Sequence, residues 1–164
     1  MQDFVHLHVH TQYSLLDGQA SVARLVDKAM KNGMKGIAVT DHGNMFGIKE
    51  FTNYVNKKNS GPKGEIKDLK KRIAGIEAGT VECEDKEAEI AACKAKIVEA
   101  ENKLFKPIIG CEMYVARRTM DLKEGKPDQS GYHLIVLAKN EKGYHNLIKL
   151  VSHAVLYASA YRPQ

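Results

Sequence analysis

The chain has 164 residues, of which 43% are hydrophobic and 27% charged, so it is long enough for one domain with a core. Its net charge of +5 is compatible with a polyanionic partner, and no apolar run reaches the ~18 residues that would predict a membrane span. The three cysteines form no CxxC pair and the N-terminus has no signal-peptide pattern, so we expect a cytoplasmic protein without disulfides.

Residues 4–18, FVHLHVHTQYSLLDG, carry three histidines two positions apart, His6, His8 and His10. Alternate residues of a β-strand share a face, so a strand here would direct the imidazoles one way and bury Leu7 and Val9 on the other side. Imidazole is the commonest metal ligand among side chains. The pattern favours a metal or phosphate site over a polar surface strand.

The next elements predict a strand–helix–strand unit. In SVARLVDKAMKNGM, Ser21 is a good N-cap, apolar residues recur at helical spacing, and Gly33 is a natural helix end. Residues 36–40, GIAVT, are typical of a buried strand, so the two strands should be parallel with a right-handed crossover. Asp41 and His42 follow the second strand, where α/β proteins place their sites. The alternative for Asp41 is an N-cap in a glycine-rich turn.

Two helical regions follow. Residues 46–57 predict an amphipathic helix with the apolar face Phe46, Ile48, Phe51, Tyr54 and Val55. NKKNSGPKG then predicts a link rich in helix breakers. Apolar residues spaced three and four apart predict two further helices that form an antiparallel hairpin, inserted at residues 57–104; they are Ile66, Leu69, Ile73, Ile76, Ile90, Cys93, Ile97, Ala100 and Leu104.

The chain then returns to strands. Residues 106–115, KPIIGCEMYV, predict a strand in which Glu112 interrupts apolar residues. A buried carboxylate needs a cation or a donor; we favour a metal over an ion pair with Arg117 or Arg118. After a polar loop or loose hairpin, residues 132–138 predict another strand, which begins near His133.

Residues 140–158 predict a closing helix. Its predicted buried stripe is Leu147, Leu150, Val151 and Ala154, supported by Ile148 and Val155. His145 and His153 lie off this stripe, and we interpret both as surface residues.

The phrases HLHVHTQYSLLDG, AVTDHGNMFG, KPIIGCEMYV and YHLIVLAKNEKGYHNLIKLVS occur in this order. Together they resemble the PHP (polymerase and histidinol phosphatase) domain, over nearly all of residues 1–56 and 105–151. The resemblance is closest to the copies at the N-terminus of bacterial DNA polymerase III α subunits.

The resemblance implies an α/β fold, a distorted α/β barrel of which this chain is a partial, truncated copy. Residues 1–56 and 105–164 would form the N-terminal portion of the PHP domain, with residues 57–104 as the inserted helical hairpin. The family's last motifs are expected beyond residue 164, so we expect the site to be incomplete and the chain alone to be inactive. An open sheet edge would allow the chain to self-associate.

The resemblance also implies a site with up to three divalent ions, for which zinc, manganese or iron would suit the N/O donors. Its ligands would be His8, His10, Asp17, His42, Glu112 and His133. Asp41 would orient its neighbour as a supporting catalytic residue, and His6 precedes the family's histidine pair.

The implied chemistry is phosphoester hydrolysis of the 3′–5′ exonuclease type, within a DNA-directed DNA polymerase that acts in DNA replication. Expected partners are DNA, a proofreading exonuclease subunit and, through the rest of the parent protein, a sliding clamp. One alternative is a non-catalytic module that stabilises the polymerase and docks the proofreading subunit. Another is a stand-alone histidinol-phosphatase-like enzyme, which the inserted hairpin and the PIIG and GYHNL phrases disfavour.

Overall fold

A computed structural model describes residues 4–119, 122, 124 and 131–159. These residues form a mixed α/β fold with five helices and three strands: α1 Val22–Lys31, β1 Gly36–Val39, α2 Ile48–Lys58, α3 Ser60–Glu77, α4 Lys86–Asn102, β2 Lys106–Val115, β3 Tyr132–Leu137 and α5 Glu141–Ser159. By their contacts they divide into two compact units, residues 1–52 with 107–164 and residues 53–106. In this part of the chain, no helix is both long and apolar enough to cross a bilayer.

The three strands form one sheet in the order β1-β2-β3. The sheet is mixed rather than all parallel, because β3 pairs with β2 in the antiparallel direction, with Tyr114 opposite His133 and Glu112 opposite Ile135. A parallel return would need a crossover, usually a helix, and none is described between these strands. The described strands form an open sheet, so closure into a barrel is not seen in these parts of the chain.

The prediction of a first strand with alternating faces is wrong. Residues 4–10 form no regular strand and bend at Leu7 and His8, although the carbonyls of His6 and Val9 accept hydrogen bonds from the backbone N–H groups of Ala38 and Thr40. Three residues therefore advance against two on β1, as in a β-bulge, and the strict alternation of faces is lost. Leu7, which we expected to be buried, is 48% exposed.

The unit that follows this segment agrees with prediction. Ser21 caps α1 by accepting a hydrogen bond from the Arg24 backbone N–H, and Gly33 ends the helix with a φ of 76°. All four residues of β1 are buried. The buried strand β1 positions the two residues that follow its carboxyl end closely, Asp41 and His42.

Within residues 53–106, α3 and α4 pack against each other as the predicted hairpin. The predicted breaker-rich link is wrong, since α3 already begins at Ser60. Pro62 lies in its first turn, where a missing N–H is tolerated. The heptad stripe is confirmed, with Ile76, Cys93 and Ile97 among its buried members.

Two predicted apolar faces are less buried than expected. Helix α2 begins at Ile48 rather than residue 46, and Phe46 is 75% exposed. In α5 only Leu147 of the predicted stripe is buried, while Leu150 and Val155 are each 53% exposed. Burial needs a partner surface, and the helical period predicts only which side chains share a face.

Candidate metal centre

Side chains from four separate segments meet at one end of the sheet. Glu112 lies in β2, His133 is the second residue of β3, and His42 follows β1. Because β3 is antiparallel to β2, the start of β3 lies beside the end of β2. The chain before α1 adds the remaining possible ligand atoms, with His8 and His10 in residues 4–10 and Asp17 in the turn that follows.

These six residues form three overlapping groups in which possible ligand atoms lie within 4.8 Å of one another. The groups are His8–His10–Glu112, His10–Asp17–His42 and His42–Glu112–His133. Every residue predicted as a ligand is therefore found in at least one group. His6 is in none of them; its ring packs edge-on against Phe4.

Glu112 is the shared centre of two groups. Its Oε2 atom lies 3.0 Å from His8 Nε2 and 2.5 Å from His10 Nε2, and its Oε1 atom lies 2.6 Å from His133 Nδ1. The residue is only 5% exposed. Burial raises the pKa of Glu112, but the hydrogen bonds from His8, His133 and His10 outweigh it and lower the pKa to about 2. The carboxylate is therefore ionised at neutral pH, as a metal ligand must be.

His10 links two of the groups, because both of its ring nitrogens face carboxylates. Nε2 faces Glu112, and Nδ1 lies 3.0 Å from Asp17 Oδ1. A neutral imidazole has one N–H, so it can satisfy only one of these contacts as a donor. The other contact requires a cation, either a second proton on the ring or a metal ion between the lone pairs.

Two pairs of possible ligand atoms also have the spacing expected around a metal. Nitrogen atoms on one tetrahedral Zn²⁺ ion lie about 3.3 Å apart, since Zn–N distances are about 2.0–2.1 Å. His8 Nε2 and His10 Nε2 are 3.2 Å apart, and His42 Nδ1 lies 3.3 Å from Asp17 Oδ2. Imidazoles and carboxylates together suit zinc, manganese or iron.

Asp41 has a different geometry from the clustered ligands. Its buried carboxylate accepts hydrogen bonds from the Thr11 backbone N–H at 2.6 Å, the Thr11 hydroxyl and the Ser14 hydroxyl at 2.8 Å. Ser14 Oγ in turn accepts a bond from the His42 backbone N–H at 3.0 Å. Through these bonds Asp41 holds the turn that carries Asp17, and Ser14 links it to the backbone N–H of His42 rather than to the His42 ring.

Tyr114 is a site residue that sequence reasoning missed. Its hydroxyl is hydrogen-bonded to His42 Nε2, and its ring packs edge-on against His42 and His133. When His42 Nε2 carries the proton and donates it to Tyr114, Nδ1 is left as the lone-pair donor that faces Asp17. The available signal was spacing, because Tyr114 is two residues from Glu112 on the same strand.

Comparison of the sequence with known proteins shows similarity to one family. The PHP domain model matches residues 6–97 and 88–164. The chain is 40% identical over 164 residues to DNA polymerase III subunit alpha of Borreliella burgdorferi, and 38% identical over 162 residues to that of Treponema pallidum. It is 32% identical over 169 residues to the same subunit of Aquifex aeolicus. Each alignment covers 98–99% of this chain but only 10–11% of the relative, so the chain spans about a tenth of these proteins.

Proposed function

Because the chain belongs to the PHP domain family, we propose that its clustered side chains form a divalent metal centre for phosphoester hydrolysis. The observation that carries this proposal is the set of three overlapping ligand groups, two of which contain Glu112. The proposed ligands are His8, His10, Asp17, His42, Glu112 and His133. We further propose that the open sheet is part of the family's barrel, with residues 57–104 as an insertion.

Divalent ions held there would lower the pKa of water and neutralise charge on a phosphoryl group during attack. The chain's own residues prepare the site for them. Glu112 supplies a buried negative charge that is present at neutral pH. The Tyr114 hydroxyl is hydrogen-bonded to His42 Nε2, which leaves His42 Nδ1 for a metal when Nε2 carries the proton, and Asp41 holds the turn from which Asp17 reaches the centre.

The relatives extend the proposal to a larger protein. They are DNA polymerase III α subunits, so we propose that this chain is part of such a subunit and that its substrate is DNA. Nucleotide addition, the contacts with a proofreading subunit and a sliding clamp, and work in the cytoplasm belong to this wider proposal. The identity to these long proteins disfavours a stand-alone phosphatase.

Metal analysis of the purified chain tests the centre directly. After incubation with Zn²⁺ or Mn²⁺ and removal of free metal, we expect at least one tightly bound ion per chain. His42→Ala and Glu112→Gln should each weaken the metal affinity by tenfold or more, since each removes a ligand shared by two groups. His145→Ala is the matched control, because His145 pairs only weakly with Glu141, at 3.9 Å on the surface of α5.

Hydrolysis is tested with a longer α subunit that carries this chain, on single-stranded DNA with and without a chelator. Loss of activity on chelation and in the His42→Ala variant would support the catalytic role. A wild-type chain that retains no metal would contradict the proposal and favour the non-catalytic module that stabilises the polymerase.

A further inference from the structure

A cavity of about 390 Å³ adjoins the candidate metal centre. Asp17 and His42 belong both to its lining and to the ligand groups. The rest of its wall is mainly apolar and aromatic, and includes Leu15, Leu16, Phe46 and Tyr114. We call it the apolar pocket. Its volume is within the roughly 300–1,000 Å³ typical of small-molecule sites.

The apolar wall is not explained by packing. Leu16 is fully exposed, Leu15 is 90% exposed, Phe46 75% and Tyr114 60%. Scattered exposed apolar residues are normal, but four around one cavity mark a contact surface.

The backbone beneath part of this wall is held by hydrogen bonds. The Asn44 side chain donates to the carbonyls of Tyr13 and His42 and accepts from the Phe46 backbone N–H, which fixes this segment. The Tyr13 hydroxyl donates to Glu50 at 2.8 Å. Backbone fixed in this way lowers the entropic cost of binding.

We infer that the apolar pocket binds the nucleobase of a strand-terminal nucleotide whose phosphodiester lies at the metal centre. This inference rests on the proposed function, which requires an anionic phosphoester at the histidines and carboxylates. A nucleotide has a flat aromatic base joined to such a group, and the pocket and the centre share Asp17 and His42. Phe46 and Tyr114 would contact the base, and such stacking accepts any base.

The test measures binding of a fluorescent single-stranded thymidine oligonucleotide to the Zn²⁺-loaded chain by anisotropy. Two matched probes lack the base at the 3′ or the 5′ terminal nucleotide but keep every phosphate. The variants are Phe46→Ala and Leu16→Ala, and Leu156→Ala is the control, because Leu156 is 67% exposed on α5 outside the pocket. Zinc content is measured for every variant.

We expect one abasic probe to bind the wild-type chain roughly 5- to 140-fold more weakly than the complete probe. Phe46→Ala should weaken binding of the complete probe by a similar factor, leave that abasic probe unaffected and retain zinc. Leu156→Ala should change neither.

Equal affinity for complete and abasic probes, with zinc retained and binding sensitive to chelator, would overturn the pocket but leave the proposed metal function standing. Failure to hold zinc would overturn both. If Phe46→Ala changes the sedimentation of the chain but not its DNA affinity, the pocket is a protein contact and the inference is wrong.

Discussion

At the scale of single residues, Glu112 is informative because it interrupts the apolar residues of strand β2. A carboxylate within an apolar strand indicates a buried charge that needs partners. The structure supplies His8, His10 and His133 as those partners. The sequence also allowed an ion pair between Glu112 and Arg117 or Arg118, in which an arginine would be the cation in place of a metal.

The lowered pKa of Glu112 predicts a pH dependence of stability in metal-free protein. Its folded pKa is about 2 against an ordinary value of 4.5, so its stabilisation is present above pH 4.5 and lost as the pH falls towards 2. The linked free energy of unfolding is up to about 3 kcal/mol. We therefore expect urea denaturation in EDTA to show that the wild-type chain has a higher free energy of unfolding than Glu112→Gln. This difference in free energy should be largest above pH 4.5 and should shrink towards pH 2.

Glu141→Gln serves as the control for loss of one carboxylate, since Glu141 has a 90% exposed side chain on α5. A Glu112→Gln difference that stays constant across the same pH range would show that the histidines do not stabilise the ionised carboxylate.

At the scale of elements, the turn at residues 11–18 decides where Asp17 lies. The backbone N–H groups of Asp17 and Gly18 donate to the Ser14 carbonyl, at 3.2 and 2.7 Å. A Cβ atom at Gly18 would lie 1.8 Å from the Thr11 carbonyl oxygen, so only glycine allows this close approach. The turn is therefore specified by a backbone contact.

Gly18→Ala should lower the free energy of unfolding by about 1–3 kcal/mol, because the turn must open to admit the methyl group. It should also weaken metal affinity by displacing Asp17. Gly64→Ala is the opposite control: Gly64 is inside α3 with open space around its Cβ position, so alanine should stabilise by roughly 0.5–1 kcal/mol. Thermal melts and metal titrations check both variants. Unchanged metal affinity in Gly18→Ala would show that this turn does not position Asp17 for metal binding.

A second element is fixed by Asn59, which the sequence did not single out. Its buried side chain donates to the Phe105 carbonyl at 2.8 Å and accepts from the Phe105 backbone N–H at 2.9 Å, within residues 53–106. Asn59→Ala would leave two buried backbone groups unsatisfied, and we expect a loss of roughly 1–3 kcal/mol in urea denaturation. Asn56→Ala, at an exposed position three residues earlier, should lower the free energy of unfolding far less. Equal losses in the two variants would show that the hydrogen bonds between Asn59 and Phe105 do not stabilise the fold.

The elements also show what the sequence could predict. Helix α1, strands β1 and β2 and the hairpin carry strong local signals: a cap at Ser21, a buried apolar run and a heptad stripe. The antiparallel direction of β3 and the irregular first segment depend on pairing between distant residues, which local pattern does not encode. The full ligand set could be predicted because the motifs that carry it resemble those of a known family, whereas Tyr114 and Asn59 act through contacts that only the fold creates.

At the scale of the whole molecule, the described residues leave much apolar surface uncovered. Leu134 in β3 is 53% exposed, as is Leu150 in α5, and β3 is the last strand of the sheet in this part of the chain. Edge strands with apolar side chains are prone to pair with other chains. Within a longer protein, other segments could cover the same surface.

We therefore expect the isolated chain to self-associate through β3 and α5 as its concentration rises from micromolar to millimolar. Leu134→Lys with Leu150→Lys should weaken this association by at least tenfold, because each places a charge in the apolar contact. Val98→Lys is the matched control, since Val98 is 56% exposed on the inserted helix α4 and should not take part. Sedimentation velocity distinguishes the outcomes: a wild-type chain that remains monomeric throughout, or a Val98→Lys variant that dissociates as readily, would show that β3 and α5 are not the contact.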